Sequence, residues 1–270
     1  MWWNYFNTLR GKVRRTARQS SQQAARQGAQ KAAFFLREYF FPFGCSLCGA
    51  GLVSAEETWY GLCGDCRAAL ERELDESLAG ETCDYCGKPL ISEHDRCLSC
   101  RSSEGYSFDR VKALFPYTGK YRELLSAYKF GKNLSLGNFF AEQIHRALEQ
   151  CGLPPSARIV PVPPRPGKIR KSGWDQVEYL TRLLEGSYGG AKDINVCRCL
   201  KRLPSKSQKE LDQQHRRTNL RGRIVPVRSI PPVAVLLDDV MTTGSTLDAC
   251  AAALKEAGAQ TVYGLCLFYN

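Results

Sequence analysis

In "VAVLLDDVMTTGSTLDAC", Val233 to Cys250, five aliphatic residues run into two adjacent aspartates, and a turn rich in hydroxyls follows around one glycine. An aliphatic run of this length predicts a strand buried on both faces, as in a parallel sheet. "STLDACAAALKEAG" predicts the next helix, stopped at Gly258, and "QTVYGLCLFY" a last strand. Working outward towards the N-terminus, "RVKALFPY", "ARIVPVPPRP" and "INVCRCLKRL" read as further strands, the second leaving into a proline-rich loop. "GKYRELLSAYKFG", "LGNFFAEQIHRALEQCG" and "WDQVEYLTRLLE" carry the spacing of amphipathic helices. Strands alternating with helices predict an α/β fold, a mostly parallel sheet flanked by helices.

The acid pair would leave such a strand at the carboxyl edge of the sheet, where open α/β sheets bind ligands. A helix N-terminus offers free N–H groups and the positive end of a dipole, which suits phosphate. Gly244 allows close backbone approach, and Thr242, Thr243, Ser245 and Thr246 add hydroxyls. Two carboxylates beside a phosphate repel it unless they face another part of the ligand. Asp238 and Asp239 are therefore expected to accept hydrogen bonds from the vicinal hydroxyls of a sugar. An ordinary strand–turn–helix with an aspartate cap is the bland reading of the same residues.

Upstream, four C-x-x-C pairs fall between Cys45 and Cys100. Each such turn aims two thiolates at one ion, and two turns complete a tetrahedral site. Eight cysteines predict two structural zinc ions. The simplest pairing is sequential, Cys45/Cys48/Cys63/Cys66 and Cys83/Cys86/Cys97/Cys100, and a crossed pairing fits the spacing as well. Redox C-x-x-C motifs and an iron–sulfur cluster are the rival uses of these thiolates. His94, between pairs, reads as a surface loop residue rather than a ligand.

The net charge is +11, and residues 1–37 hold eight Lys or Arg and no acid, so +3 falls on the rest. The arm reads as a solvated basic helix; Trp2, Trp3 and Phe6 beside arginines also suit peripheral contact with a membrane surface or a nucleic acid. No secretory signal pattern is visible, and no apolar run approaches the roughly 18 residues of a membrane span. A reducing, cytoplasmic protein is expected, divided into a basic arm (1–42), a cysteine module (43–104) and an α/β domain (105–270). Between Arg198 and Arg223 nine Lys or Arg face two acids, cations suited to a pyrophosphate or to single-stranded DNA. Tyr117, Tyr121 and Tyr128 are candidates for stacking on bases, although tyrosine at helical spacing more often packs in a core.

The acid-pair segment resembles the 5-phosphoribosyl-1-pyrophosphate (PRPP) motif of type I phosphoribosyltransferases. The resemblance implies that Asp238 and Asp239 hold the ribose 2- and 3-hydroxyls. It also implies that Thr242, Thr243, Gly244, Ser245 and Thr246 surround the 5-phosphate, that Met241 belongs to the PRPP site, and that Mg²⁺ rides on substrate oxygens. Over roughly residues 40–270 the order of motifs is similar to the ComF family, the competence-associated phosphoribosyltransferase-like proteins of bacteria. "YKFGK", "VPVPPRP", "SQKELDQQHRRTN" and "LLDDVMTTGST" stand where that family has a lysine-bearing helix, a V-P-V-P strand, a Q-x-x-L…R-x-x-N segment and the PRPP motif. Lys129 and Arg216 would then supply cations for the pyrophosphate, and Gln208, Leu211 and Asn219 keep the spacing around Arg216. One loop departs: the family's R-G-F-N-Q is here Ser172, Gly173, Trp174, Asp175 and Gln176, with Lys168, Arg170 and Lys171 just before it.

Three function classes follow. The first is a phosphoribosyltransferase of unread acceptor, with no general acid or base assignable. The second is a non-catalytic PRPP- and single-stranded-DNA-binding module of the DNA-uptake machinery, meeting competence proteins of the helicase type. The third is an adaptor with a vestigial motif.

Overall fold

A computed structural model describes residues 44–83, 85–90, 92–101, 105–188, 195–204, 220 and 222–270. The basic arm and Arg216, with Gln208, Leu211 and Asn219, lie outside them. In chain order the helices are α1 (Ala55–Tyr60), α2 (Gly64–Ala79), α3 (Leu98–Arg101), α4 (Gly119–Lys129), α5 (Ser135–Gln150), α6 (Lys168–Ser172), α7 (Gln176–Leu183) and α8 (Ser245–Glu256). The strands are β1 (Arg110–Pro116), β2 (Ala157–Pro161), β3 (Leu200–Arg202), β4 (Ile224–Pro226), β5 (Val233–Met241) and β6 (Thr261–Tyr269).

The aliphatic run forms β5, which pairs in parallel with β2 on one side and β6 on the other. β1 pairs in parallel with β6, so the sheet runs β1-β6-β5-β2, and the α/β expectation holds. Side chains alternate across a strand, which explains why β5 is apolar throughout. Val235 and Leu237 enter one core, while Ala234 and Leu236 enter a second on the other face. The first core is filled from α4, α5 and α7. Phe115, Phe139, Phe140 and Phe268 meet there, with ring centroids 5.6–6.2 Å apart. The second is covered by α8 and by the β3–β4 hairpin.

Three local features differ from expectation. "INVCRCLKRL" makes a single parallel bridge from Val196 to Ile159, then turns away as β3 to pair antiparallel with β4. Lys201 of β3 is exposed, and a central strand has no solvated face to hold such a residue. The proline-rich loop contains α6, bracketed by Gly167 and Gly173, both left-handed at φ 79°. The spacer between the first two C-x-x-C pairs and the next is mostly the helix α2, whose Leu70 and Leu74 are its fully buried apolar side chains.

The two halves of the cysteine segment join different cores. Cys45, Leu62, Leu70 and Leu74 pack into the first. Glu73 of α2 accepts hydrogen bonds from Lys120 and Tyr121, and Arg146 pairs with Asp75 at 2.8 Å. A capping box at Ser54 and Glu57 starts α1, and Glu57 also accepts from the Gly64 N–H at 2.8 Å, tying α1 to α2. Cys83, Cys86 and Cys100 pack into the second core. There the Val111 N–H of β1 donates to the Tyr85 carbonyl at 3.1 Å. The backbones come so close that a Cβ on Gly87 would sit 2.5 Å from the Val111 carbonyl oxygen. The two four-cysteine groups therefore lie on opposite faces of the sheet.

Candidate functional site

β2 stops at Pro161 opposite Leu237, and Val162 adds one last hydrogen bond to the Leu237 carbonyl at 3.0 Å. Asp238 and Asp239 thus leave β5 just past the end of its neighbour, at the carboxyl edge. Strand alternation sends them to opposite faces. Asp238 faces the side of α8 and β3, within electrostatic reach of Cys250, Cys266 and Arg202. Asp239 faces α4 and α7, where its Oδ2 accepts from Lys129 Nζ at 2.8 Å and from the Gln176 side-chain amide. Each carboxylate also caps the chain just ahead of it: Asp238 Oδ1 accepts from the Asp239 N–H at 2.8 Å, and Asp239 Oδ1 from the Val240 N–H at 2.9 Å.

These environments push the two acids apart. Burial, then the neighbouring Asp239 carboxylate, holds the Asp238 carboxyl well above the usual carboxylate range. Burial pulls Asp239 up as well, but Lys129 and Gln176 outweigh it and leave that carboxyl below the ordinary value. The site therefore presents one carboxylate committed to its charge and one that resists it.

Beyond Met241 the chain turns through Thr242, Thr243 and Gly244 into α8. Gly244 is the N-cap, left-handed at φ 71°, a conformation open to glycine at little cost. A Cβ there would also press on Tyr106 and on the Met241 methyl at 3.2 Å. Thr243 and Ser245 share a hydroxyl–hydroxyl hydrogen bond of 2.7 Å, and the Tyr106 hydroxyl donates to the Thr243 carbonyl at 3.3 Å. Asp248, one turn into α8, is buried and accepts from the Ser107 N–H at 2.6 Å. The turn is thus anchored from Tyr106 and Ser107, which no sequence motif marks. Gly244 provides no side-chain cap for α8, and the first N–H, that of Ser245, lies 3.4 Å from the Thr243 hydroxyl.

Among the cations expected at the site, Lys129 is present and engaged with Asp239. Asp175 and Gln176, which the sequence marked only as part of the departing loop, are buried, and Gln176 donates to Asp239. Tyr121 and Tyr128 are buried core residues and offer no stacking face. His94 is exposed, 3.8 Å from Glu81, as a loop residue should be.

The thiolates group sequentially: in each of the sets Cys45/Cys48/Cys63/Cys66 and Cys83/Cys86/Cys97/Cys100 the four sulfurs lie within 4.8 Å of one another. Backbone N–H groups fold around the first sulfur of each set. Burial raises the Cys45 thiol, but N–H donors from Cys48, Cys63 and Leu47 bring it down to about 7. Cys83 reaches about 7 in the same way, with donors from Cys86, Cys97 and Tyr85. Burial first, and neighbouring thiolates after it, push Cys66 and Cys100 up, and Cys86 to about 12. Four sulfurs this close ionise together only around a cation, and an all-thiolate tetrahedral set suits zinc. Both clusters could hold a structural zinc ion.

Fold and site together define an α/β protein with a parallel four-stranded sheet, an acid pair at its carboxyl edge and two four-cysteine centres. No protein-family model matches the chain. It is 28% identical over 208 residues to "Competence protein ComFC" of Streptococcus pneumoniae, covering 74% of this chain and 84% of that one. "DNA utilization protein YhgH" of Salmonella typhi and "Competence protein F" of Haemophilus influenzae are each 26% identical, over 83% of this chain and 95% of theirs. These matches run over most of the chain and support a ComF-family assignment.

Proposed function

We propose that the chain binds PRPP with Mg²⁺ at the carboxyl edge of β5 and serves the uptake or utilisation of DNA. One observation carries the ligand: an acid pair at the end of a parallel strand, followed directly by a left-handed glycine that opens a helix N-terminus. The Thr242–Thr246 turn takes the 5-phosphate on N–H groups and hydroxyls. Asp238 and Asp239 accept hydrogen bonds from the ribose hydroxyls. Mg²⁺ binds to substrate oxygens. Lys129, beside Asp239, supplies a cation for the pyrophosphate, and the sequence offers Arg216 for the same role. The link to DNA rests on the names of the relatives, two called competence proteins and one a DNA utilization protein. Single-stranded DNA and competence proteins of the helicase type are the partners this role calls for, and binding to DNA through basic side chains would weaken steeply with salt. No helix among the described residues is long and apolar enough to cross a membrane.

Pentosyl transfer is the reaction such a site supports. A nitrogen nucleophile attacks the anomeric carbon as pyrophosphate leaves, and the carboxylates stabilise the oxocarbenium-like transition state. Calorimetry with PRPP and Mg²⁺ tests the binding. Asp239→Ala removes a charge-assisted acceptor, so affinity falls roughly tenfold or more. Equal affinity in the two proteins sinks the proposal. Pyrophosphate release across a panel of bases then separates transfer from binding alone.

A further inference from the structure

The loop that departs from the family pattern carries a relay the acid pair depends on. Asp175, where the family has an amide, is buried and N-caps α7, accepting from the Glu178 N–H at 3.0 Å. Its other oxygen meets Lys168 Nζ at 2.6 Å, from a lysine seven residues earlier on α6. The same ammonium donates to the Gln176 side-chain oxygen, and the Gln176 amide donates to Asp239. An ammonium only donates and a carboxylate only accepts, so these two neighbours leave the Gln176 amide a single orientation. Lys168 is therefore more than a counter-charge for Asp175. It fixes which end of Gln176 faces Asp239.

We propose that Lys168 is a positioning residue for the ligand site, orienting the Gln176 amide so that Asp239 keeps its donor, and that Asp175 and Lys168 act as one unit in this chain. The proposal rests on the PRPP reading for its binding readout and on geometry alone for its spectroscopic one. Gly167 and Gly173 bracket α6, both in the left-handed conformation. Ser172 fastens the segment internally, its one hydroxyl proton shared between the Lys168 carbonyl at 2.8 Å and the Trp174 carbonyl at 2.9 Å. Lys168 is thus delivered to the two side chains by its own loop.

The test pairs Lys168→Met with the double variant Lys168→Met/Asp175→Asn. The single variant strands a buried carboxylate, so both the thermal midpoint and PRPP affinity fall. In the double variant the introduced asparagine still caps α7 and no charge is stranded, so the midpoint returns. Affinity stays down roughly tenfold, the size of a lost charge-assisted hydrogen bond, and the NMR signals of the Gln176 side-chain amide stay shifted and exchange faster with solvent. Recovery of both affinity and amide signals overturns the proposal and makes Lys168 a charge partner only. Should the parent protein bind no PRPP, the functional reading fails, and the amide signals alone decide the relay: unchanged signals in the double variant overturn it.

Discussion

At the scale of single residues, the acid pair acts through contrast. Asp238 and Asp239 are neighbours in sequence, yet one carboxyl is held above its ordinary range and the other below it. Their signs for stability are opposite. A carboxyl raised on folding costs stability above its unfolded value, in full above its raised one, and the cost fades as pH falls back to the unfolded value. A carboxyl lowered on folding contributes stability above its unfolded value, which is lost as pH falls through the lowered one. Asp238→Asn should therefore raise the thermal midpoint of the ligand-free protein at neutral pH, with the gain shrinking towards the usual carboxylate range near about 4. Asp239→Asn should lower the midpoint at neutral pH, because Lys129 loses its partner, and differ less from the parent in acid. Melting curves over a pH series check both, and a loss of stability from Asp238→Asn at neutral pH would contradict this account. The ligand-free chain thus holds at Asp238 a carboxyl that burial keeps from ionising readily, as sites built for a ligand often do.

At the scale of elements, what the sequence revealed and what it hid have a common cause. β1, β5, β6 and the longer helices were legible because each buries a face, and burial imposes a period on the residues. α6 buries no residue, so charge and short length masked it, while β3 lay inside a stretch that read as a longer strand. The acid pair and the hydroxyl turn were legible because their chemistry lies in one contiguous stretch. The Lys168–Gln176–Asp239 chain was not, since it joins three elements and only folding brings them together. The sequential grouping of the thiolates was likewise open until α2 and the second knuckle had been placed on opposite faces. That second knuckle yields its own prediction. Gly87 combines a φ of 71° with a backbone approach that leaves no room for Cβ. Gly87→Ala should cost more than the roughly 1 kcal/mol of a left-handed alanine alone, because it also lifts Tyr85 off β1. Metal analysis should find the Cys83 cluster depleted while the Cys45 cluster keeps its ion; equal occupancy of the two would contradict the close fit.

At the scale of the whole molecule, the cysteine centres are parts of the two cores. Leu62, Leu70 and Leu74 from one side and Cys83, Cys86 and Cys100 from the other are buried against the same sheet. Metal removal is therefore expected to destabilise the α/β part as well. Calorimetric melting after chelation should show a single transition shifted to lower temperature. A late transition unchanged in midpoint, with a separate early one, would mean that the cysteine segment stands apart. Because all four thiols of a set ionise together only with a cation among them, acid should act in the same direction as the chelator by returning protons to sulfur.

The strand order also sets a timetable for biosynthesis. In the main sheet β1 is bonded to β6, with Arg110 facing Tyr263 and Pro116 facing Tyr269. On the ribosome, the earliest strand of that sheet must wait, unpaired, until nearly the whole polypeptide has emerged. The cysteine loops close over short spans of chain and can form while translation continues, whereas pairing between such distant segments is intrinsically slow. A nascent chain halted ahead of Thr261 would hold finished knuckles and a bare strand edge, the state most exposed to chaperones and to aggregation.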